Sequence, residues 1–279
     1  FQTDGKLPYP QAYAACAAKP GSCEQGVSDE KMGNPVVRLT WQASERNKFA
    51  VYMDRALRLR GHAMGALTDP NTASVIWNTP TFATGSAKWT STLSSKLLLE
   101  VGTSFNRERY DNLYQPGILA ERNTDAWYRN ARKNDLSTGF LWNASSAQLG
   151  NYPDRYNVQG ALSYVSGAHN IKFGVMDQFG FYRRYNNANA DLYQTYTNGV
   201  PTRVTVLNTP LEVQENLDAN FGVYAQDSWN TGKLTLNYGL RFDYLKQRVV
   251  GQKAMQGRFA NVAAYNDIVL PVWKDFSPR

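Results

Sequence analysis

The sequence predicts an all-β chain, an antiparallel up-and-down sheet of about eight strands in four hairpins. Three observations carry this. Runs of apolar–polar alternation recur along the 279 residues, and period two marks a strand, whose side chains point to opposite faces in turn. The runs come in pairs around short turns, while the links between pairs are long. Aromatic residues make up 13%, with 17 Tyr and 7 Trp, a composition that suits strands.

The elements follow in order. Strand 36–42 sets Val37, Leu39 and Trp41 against Arg38, Thr40 and Gln42. A turn at 43–47 leads into 48–54, with Phe49, Val51 and Met53 opposite Lys48, Tyr52 and Asp54. The second hairpin turns at Ser94-Ser95 into 97–105, where Leu97, Leu99, Val101 and Phe105 oppose Glu100, Gly102 and Ser104. In the third, 156–164 sets Tyr156, Val158, Leu162 and Tyr164 against Asn157, Gln159 and Ser163. Ser166 to Asn170 turns it into 171–182, where Ile171, Phe173, Val175, Phe179 and Phe181 oppose Lys172, Gly174, Gln178 and Gly180. The fourth pairs 220–228, with Phe221, Val223 and Ala225 on one face, with 234–244. There Leu234, Leu236, Tyr238, Leu240, Phe242 and Tyr244 alternate with Thr235, Asn237, Gly239, Arg241 and Asp243. The turn between them is Asn230-Thr231-Gly232. The long connections are expected at about 58–86, 108–153, 185–215 and 247–275.

Which face is oily decides the class. Unstructured links this long fit a compact soluble domain poorly, and a soluble sandwich carries turn signals every 8–12 residues or so. Mean hydropathy is −0.51, and no stretch approaches the roughly 20 apolar residues of a spanning helix. Short turns on one side and long loops on the other are the rhythm of a transmembrane β-barrel. Trp41, Trp89, Tyr156, Tyr164, Trp229, Tyr238 and Tyr244 stand at or near predicted strand ends, where aromatic girdles would sit. This reading makes residues 34–279 a barrel segment in a bacterial outer membrane, with lipid as a partner. Its polar-face charges Arg38, Lys48, Glu100, Lys172, Arg241 and Asp243 must then face the lumen, because a charge on the lipid face costs up to a few kcal/mol near the midplane. Tyr185, Tyr193 and Tyr196, in a loop rich in Tyr and Asn, are the candidate ligand contacts.

Other classes find little support. The net charge of +7 is scattered rather than clustered, which argues against nucleic acid. His62 and His169 are isolated, and Glu212 and Glu215 face opposite ways on an extended chain, so no catalytic, metal or cofactor site is expected. Residues 1–33 read as a loop segment. Cys16 and Cys23 enclose turn chemistry, and a disulfide-closed loop fits them better than a metal pair. Phe1 follows no leader-like run and Arg279 follows no closing strand, so an internal piece of a longer barrel is expected.

Asn220 to Tyr244, NFGVYAQDSWNTGKLTLNYGLRFDY, resembles a hairpin of the TonB-dependent outer-membrane receptors. In that family YxQDxW precedes a turn and LTLNxGLRYD follows it. Tyr224, Gln226, Asp227, Trp229, Asn237, Gly239, Arg241 and Asp243 match, and Phe242 stands where Tyr is commoner. The HNIKFG of residues 169–174 and the final FSPR are also similar, and the Oar-like subgroup is the nearest. The resemblance implies a 22-stranded barrel filled by a plug and coupled to the inner membrane by the TonB complex. It implies transport of a siderophore, an oligosaccharide or an exported protein, with no enzymatic activity. About eight strands are present here and no plug or TonB box is recognised. The alternative is a soluble extracellular β-sheet protein that binds carbohydrate or a surface partner through its aromatics.

Overall fold

The structure, a computed structural model, describes residues 27–65 and 67–278. Cys16 and Cys23 lie outside the described residues. Two short strands, β1 (Lys31–Gly33) and β2 (Val36–Gln42), both pair with β3 (Asn47–Ala63). β4 (Val75–Ser94) and β5 (Leu97–Leu113) form the next hairpin. After a long connection holding β6 (Arg132–Asp135) and β7 (Leu141–Trp142) come β8 (Gln148–Ser166) and β9 (His169–Asn187). A second connection holds β10 (Leu192–Thr197) and β11 (Val200–Val206), and leads to β12 (Leu211–Thr231) and β13 (Leu234–Val249). The last connection carries β14 (Met255–Gln256), β15 (Asn261–Val262) and β16 (Ile268–Val269) before β17 (Trp273–Pro278).

The main sheet has 11 strands in the order β1-β3-β4-β5-β8-β9-β12-β13-β16, with β2 on β3 and β17 on β13. All its ladders are antiparallel. The eight expected strands and four hairpins are present, and the sheet is open, with β1 and β2 at one side and β16 and β17 at the other. Gly167 and Gly232 take the first central position of two-residue turns with φ of 60° and 62°. A positive φ at that position alone suits a type II′ hairpin, where glycine has no Cβ to clash.

The strands are far longer than the alternation indicated. β3 to β5, β8, β9, β12 and β13 run for 16 to 21 residues, so the connections shrink to 64–74, 114–147, 188–210 and 250–272. Twenty residues span about 66 Å, or about 50 Å of height at a 40° tilt, against an apolar band of about 25 Å. The ladders therefore continue well above the lipid on the loop side. Tyr156, Tyr238 and Tyr244 consequently lie inside strands rather than at their ends. Pro80 and Pro153 sit where the ladders falter. β4 shifts register against β5 between Asn78 and Thr81, and β5–β8 pairing skips from Arg107–Asp154 to Tyr110–Asn151. Inside a paired strand, a residue without an N–H fits best at such an irregularity.

Exposure is inverted relative to a water-soluble sheet. Leu39 is 63% exposed, Trp41 65%, Phe173 53% and Leu240 51%. Along β3 the apolar Phe49, Val51 and Met53 are exposed, while Tyr52 and Asp54 are half-buried. A sheet curved toward its polar face shelters that face in this way.

The small buried core lies instead in the connections. The helix α1 (Asp125–Arg129) is capped by Thr124, whose side chain accepts from the Trp127 N–H. Trp127, Ala131, Ala190 and Leu192 pack together, and Tyr114, Ile118 and Ala144 form a second cluster. β11-β10-β6-β7 make a separate four-stranded sheet, in which β10 runs parallel to β6. The loop side thus carries a folded cap.

Candidate functional site

The polar face is built by register. One row runs Lys48–Thr90–Glu100–Ala161–Gly174–Tyr224–Arg241 across seven strands. The next runs Ala50–Lys88–Gly102–Gln159–Met176–Gly222–Asp243, and Arg38 pairs with Tyr52 in the row beyond. Lys172, two residues from Gly174, shares this face. Arg38, Lys48, Glu100, Lys172, Arg241 and Asp243 therefore all occupy the polar face, opposite the apolar belt, with Arg38 and Lys48 exposed and the other four half-buried.

They form two charge clusters, with Arg38 and Lys48 apart near the β2 edge. Glu100 takes Lys88 Nζ at 2.5 Å and Lys172 Nζ at 3.8 Å, bridging β4, β5 and β9. Arg241 Nε lies 2.7 Å and its NH2 2.6 Å from the two Asp243 carboxylate oxygens, and NH2 also reaches Met176 Sδ at 3.5 Å. Close packing makes room for this. The Arg241 guanidinium lies across Gly222 and the Tyr224 ring across Gly174, where any Cβ would collide. Gly222 and Gly174 are thus floors for large side chains of the neighbouring strands, whereas Gly239 lets the backbone of Ala225 and Gln226 approach.

The turn-side end of the apolar face is aromatic. Trp41 stacks on Phe49 at 5.7 Å, and Phe49 on Trp89 at 6.2 Å. His169 stacks on Trp229 at 5.7 Å. Asp227 accepts from Tyr238 Oη at 2.9 Å and Asn170 N at 3.1 Å, and meets His169 Nδ1 at 2.6 Å. The aspartate of QDSW and the histidine of HNIKFG are therefore one network, which closes the turn-side girdle.

The tyrosines Tyr185, Tyr193 and Tyr196 do not converge. Tyr185 belongs to β9, on the same face as the apolar belt, with its hydroxyl 3.1 Å from Asp111. Tyr193 lies under Arg132 at 5.4 Å in the cap sheet, and Tyr196 packs against Trp142 at 5.1 Å. Sequence reasoning missed the bonds that hold the cap. Asp191, fully buried, pairs with Arg122, accepts from Thr209 Oγ1 at 2.7 Å and takes the Arg258 N–H at 2.7 Å. Asp135 accepts from Gly199 N at 2.7 Å and Ser137 N at 2.8 Å. These donations, chiefly from Gly199, hold its carboxyl below the usual range. Burial pushes the Tyr114 hydroxyl up to about 12. The Thr124-Asp125 cap signal was the one cue available in sequence.

Among the described residues no group of three or more His, Cys, Asp or Glu could hold a metal ion, and no helix is long and apolar enough to cross a membrane.

Comparison with known proteins places this geometry. Residues 8–279 match the outer membrane beta barrel domain family. The chain belongs to this family. It is an outer-membrane β-barrel protein, and its exposed apolar face is the surface such a protein turns to lipid. No curated protein sequence matches it. Among solved structures it is similar to the outer membrane transporter YddB from Escherichia coli, at 13% identity and a TM-score of 0.49, covering 81% of this chain and 30% of that one. It is similar to the copper transporter OprC, at 14% identity and 0.49, covering 92% and 34%. The ferric-catecholate import receptor Fiu from E. coli K12 matches at 10% identity and 0.44, covering 90% and 40%. The chain thus spans well under half the length of each.

Proposed function

We propose that this chain is the barrel portion of a TonB-dependent, Oar-like transporter. Its polar face lines the path of a scarce, bulky substrate, driven by energy coupled from the inner membrane through the TonB complex. The observation that supports this is the hairpin β12–β13. Its YxQDxW and LTLNxGLRxD residues fill specific structural roles, from the Asp227 girdle network to Arg241 lying across Gly222. Arg38, Lys48, Glu100, Lys172, Arg241 and Asp243 face the lumen in this reading, and can meet either a plug or the substrate. Tyr193 and Tyr196 of the cap are candidate first contacts. A siderophore, an oligosaccharide or an exported protein is the proposed cargo class. A soluble binder would need a water-compatible outer face, and Leu39, Trp41, Phe173 and Leu240 deny it one.

The test compares cells with and without the full-length protein, each with the inner-membrane coupling protein intact or deleted. Depletion of medium compounds is followed by mass spectrometry. The proposal expects at least one compound whose uptake needs both. Uptake that persists without coupling would make the protein a passive pore, and a compound set unchanged by its removal would refute transport.

A further inference from the structure

On β5, β8 and β9 the apolar face changes character abruptly on the loop side, near the centre of the sheet, while on β3 Leu57 and Leu59 remain exposed beyond Arg55. The last apolar row on those three strands is Phe105–Tyr156–Phe179, with Tyr156 and Phe179 stacked at 5.6 Å. The next row on the same face runs Arg55–Ala83–Arg107–Asp154–Phe181. Above it Tyr152 pairs with Arg183, and Gly150 with Tyr185. Arg109 grips Asp154 with both terminal nitrogens, at 2.6 and 3.0 Å, and Arg107 Nε reaches it at 3.4 Å. Arg109 and Arg183 lie over the Tyr152 ring at 5.4 and 5.2 Å. Arg107 and Arg109 thus share the buried Asp154, and Arg55 and Arg183 flank them on the same face. Arg55, Arg107 and Arg183 are exposed.

We propose that this outward-facing arginine cluster binds the phosphate groups of a phosphorylated lipid headgroup in the outer leaflet. Height argues for it: at about 3.3 Å per residue, Arg107 stands one row above the last apolar ring, where headgroups begin. Chemistry argues for it too. Guanidinium is a planar fork matched to phosphate, and Asp154 holds Arg109 and Arg107 side by side while leaving Arg107 half exposed. The turn-side rim of the same face carries the rings of Trp41, Trp89 and Trp229 instead. The proposal rests on the lipid-facing surface, and not on the transport reading, so either can fail alone.

The test titrates a fluorescent diphosphorylated glucosamine-disaccharide lipid into micelles of the full-length protein. Expected is saturable binding that the dephosphorylated lipid does not reproduce. Arg107→Gln with Arg183→Gln should weaken it on the order of 20-fold, at about fivefold per arginine. Arg107→Lys with Arg183→Lys should keep most of it, and Arg155→Gln on the polar face should leave it unchanged. The comparison of the two lipids needs no variant, so a misfolded mutant cannot hide the answer. Equal binding of the dephosphorylated lipid, equal binding by the glutamine variant, or displacement by inorganic phosphate at lipid-like concentration would each overturn the proposal.

Discussion

Asp191→Asn should open the cap without unfolding the barrel. The carboxylate is fully buried and engages Arg122, Thr209 Oγ1 and the Arg258 N–H. Asparagine keeps the volume but turns one acceptor into a donor, which faces a guanidinium. Breaking a buried charge pair costs about 3–5 kcal/mol. Arg122 is 29% exposed and can recover some water, so about 3 kcal/mol is the reasonable figure. Opening of 188–210 and 114–147 should then become on the order of 100-fold more frequent, since 1.4 kcal/mol is tenfold. Hydrogen exchange by mass spectrometry reads this directly. Protection should fall in those two connections and stay constant in β5, β8, β9 and β12. Unchanged cap exchange would refute the clamp. Loss of protection spread equally through the barrel strands would refute the cap as a separate unit.

Three further outcomes are expected. Val223→Arg, amid Val175 and Phe242, should cost about 2–4 kcal/mol in urea unfolding from vesicles, whereas Leu236→Arg beside the turn should cost about 1 or less; equal costs would deny the depth gradient. Raising the pH should loosen the cap, because a folded pKa above the unfolded value near 10 gives stability that is full below pH 10 and lost as pH rises through about 12; Tyr114→Phe should abolish that loss in an exchange or fluorescence titration. Acid acts through Asp135 with the opposite sign: its lowered pKa lends stability above the ordinary carboxylate range that disappears as pH falls through the folded value, and Asp135→Asn should remove that part of the acid transition.

The turns and the lipid-level half of each strand were legible because two rules acted together there. Period two set the face, and the bilayer forced one face to be apolar, as in Leu234 to Tyr244. Above the lipid both faces meet water, so hydropathy stops alternating while the hydrogen-bond ladder continues. Tyr152-Pro153-Asp154 therefore reads as loop although it is strand, and Arg58 to His62, where Leu57 and Leu59 keep the alternation, is strand as well. The cap was hidden for another reason. Its core joins residues far apart in sequence, such as Trp127 with Leu192 and Arg122 with Asp191, and no local periodicity reports such a contact. The six polar-face charges were legible as a set because register preserves parity. Their partners were not: Glu100 meets Lys172 only through the alignment of β5, β8 and β9.

The most direct measurement places spin labels singly at Lys172, Phe173, Val175 and Met176 of the full-length protein in lipid vesicles. Collision with oxygen, which concentrates in lipid, is compared with collision with a water-soluble nickel complex. Phe173 and Val175 should favour oxygen, and Lys172 and Met176 should favour nickel. Equal accessibility along β9, or the reverse alternation, would contradict the assignment of the apolar face to lipid and the polar face to a water-filled interior.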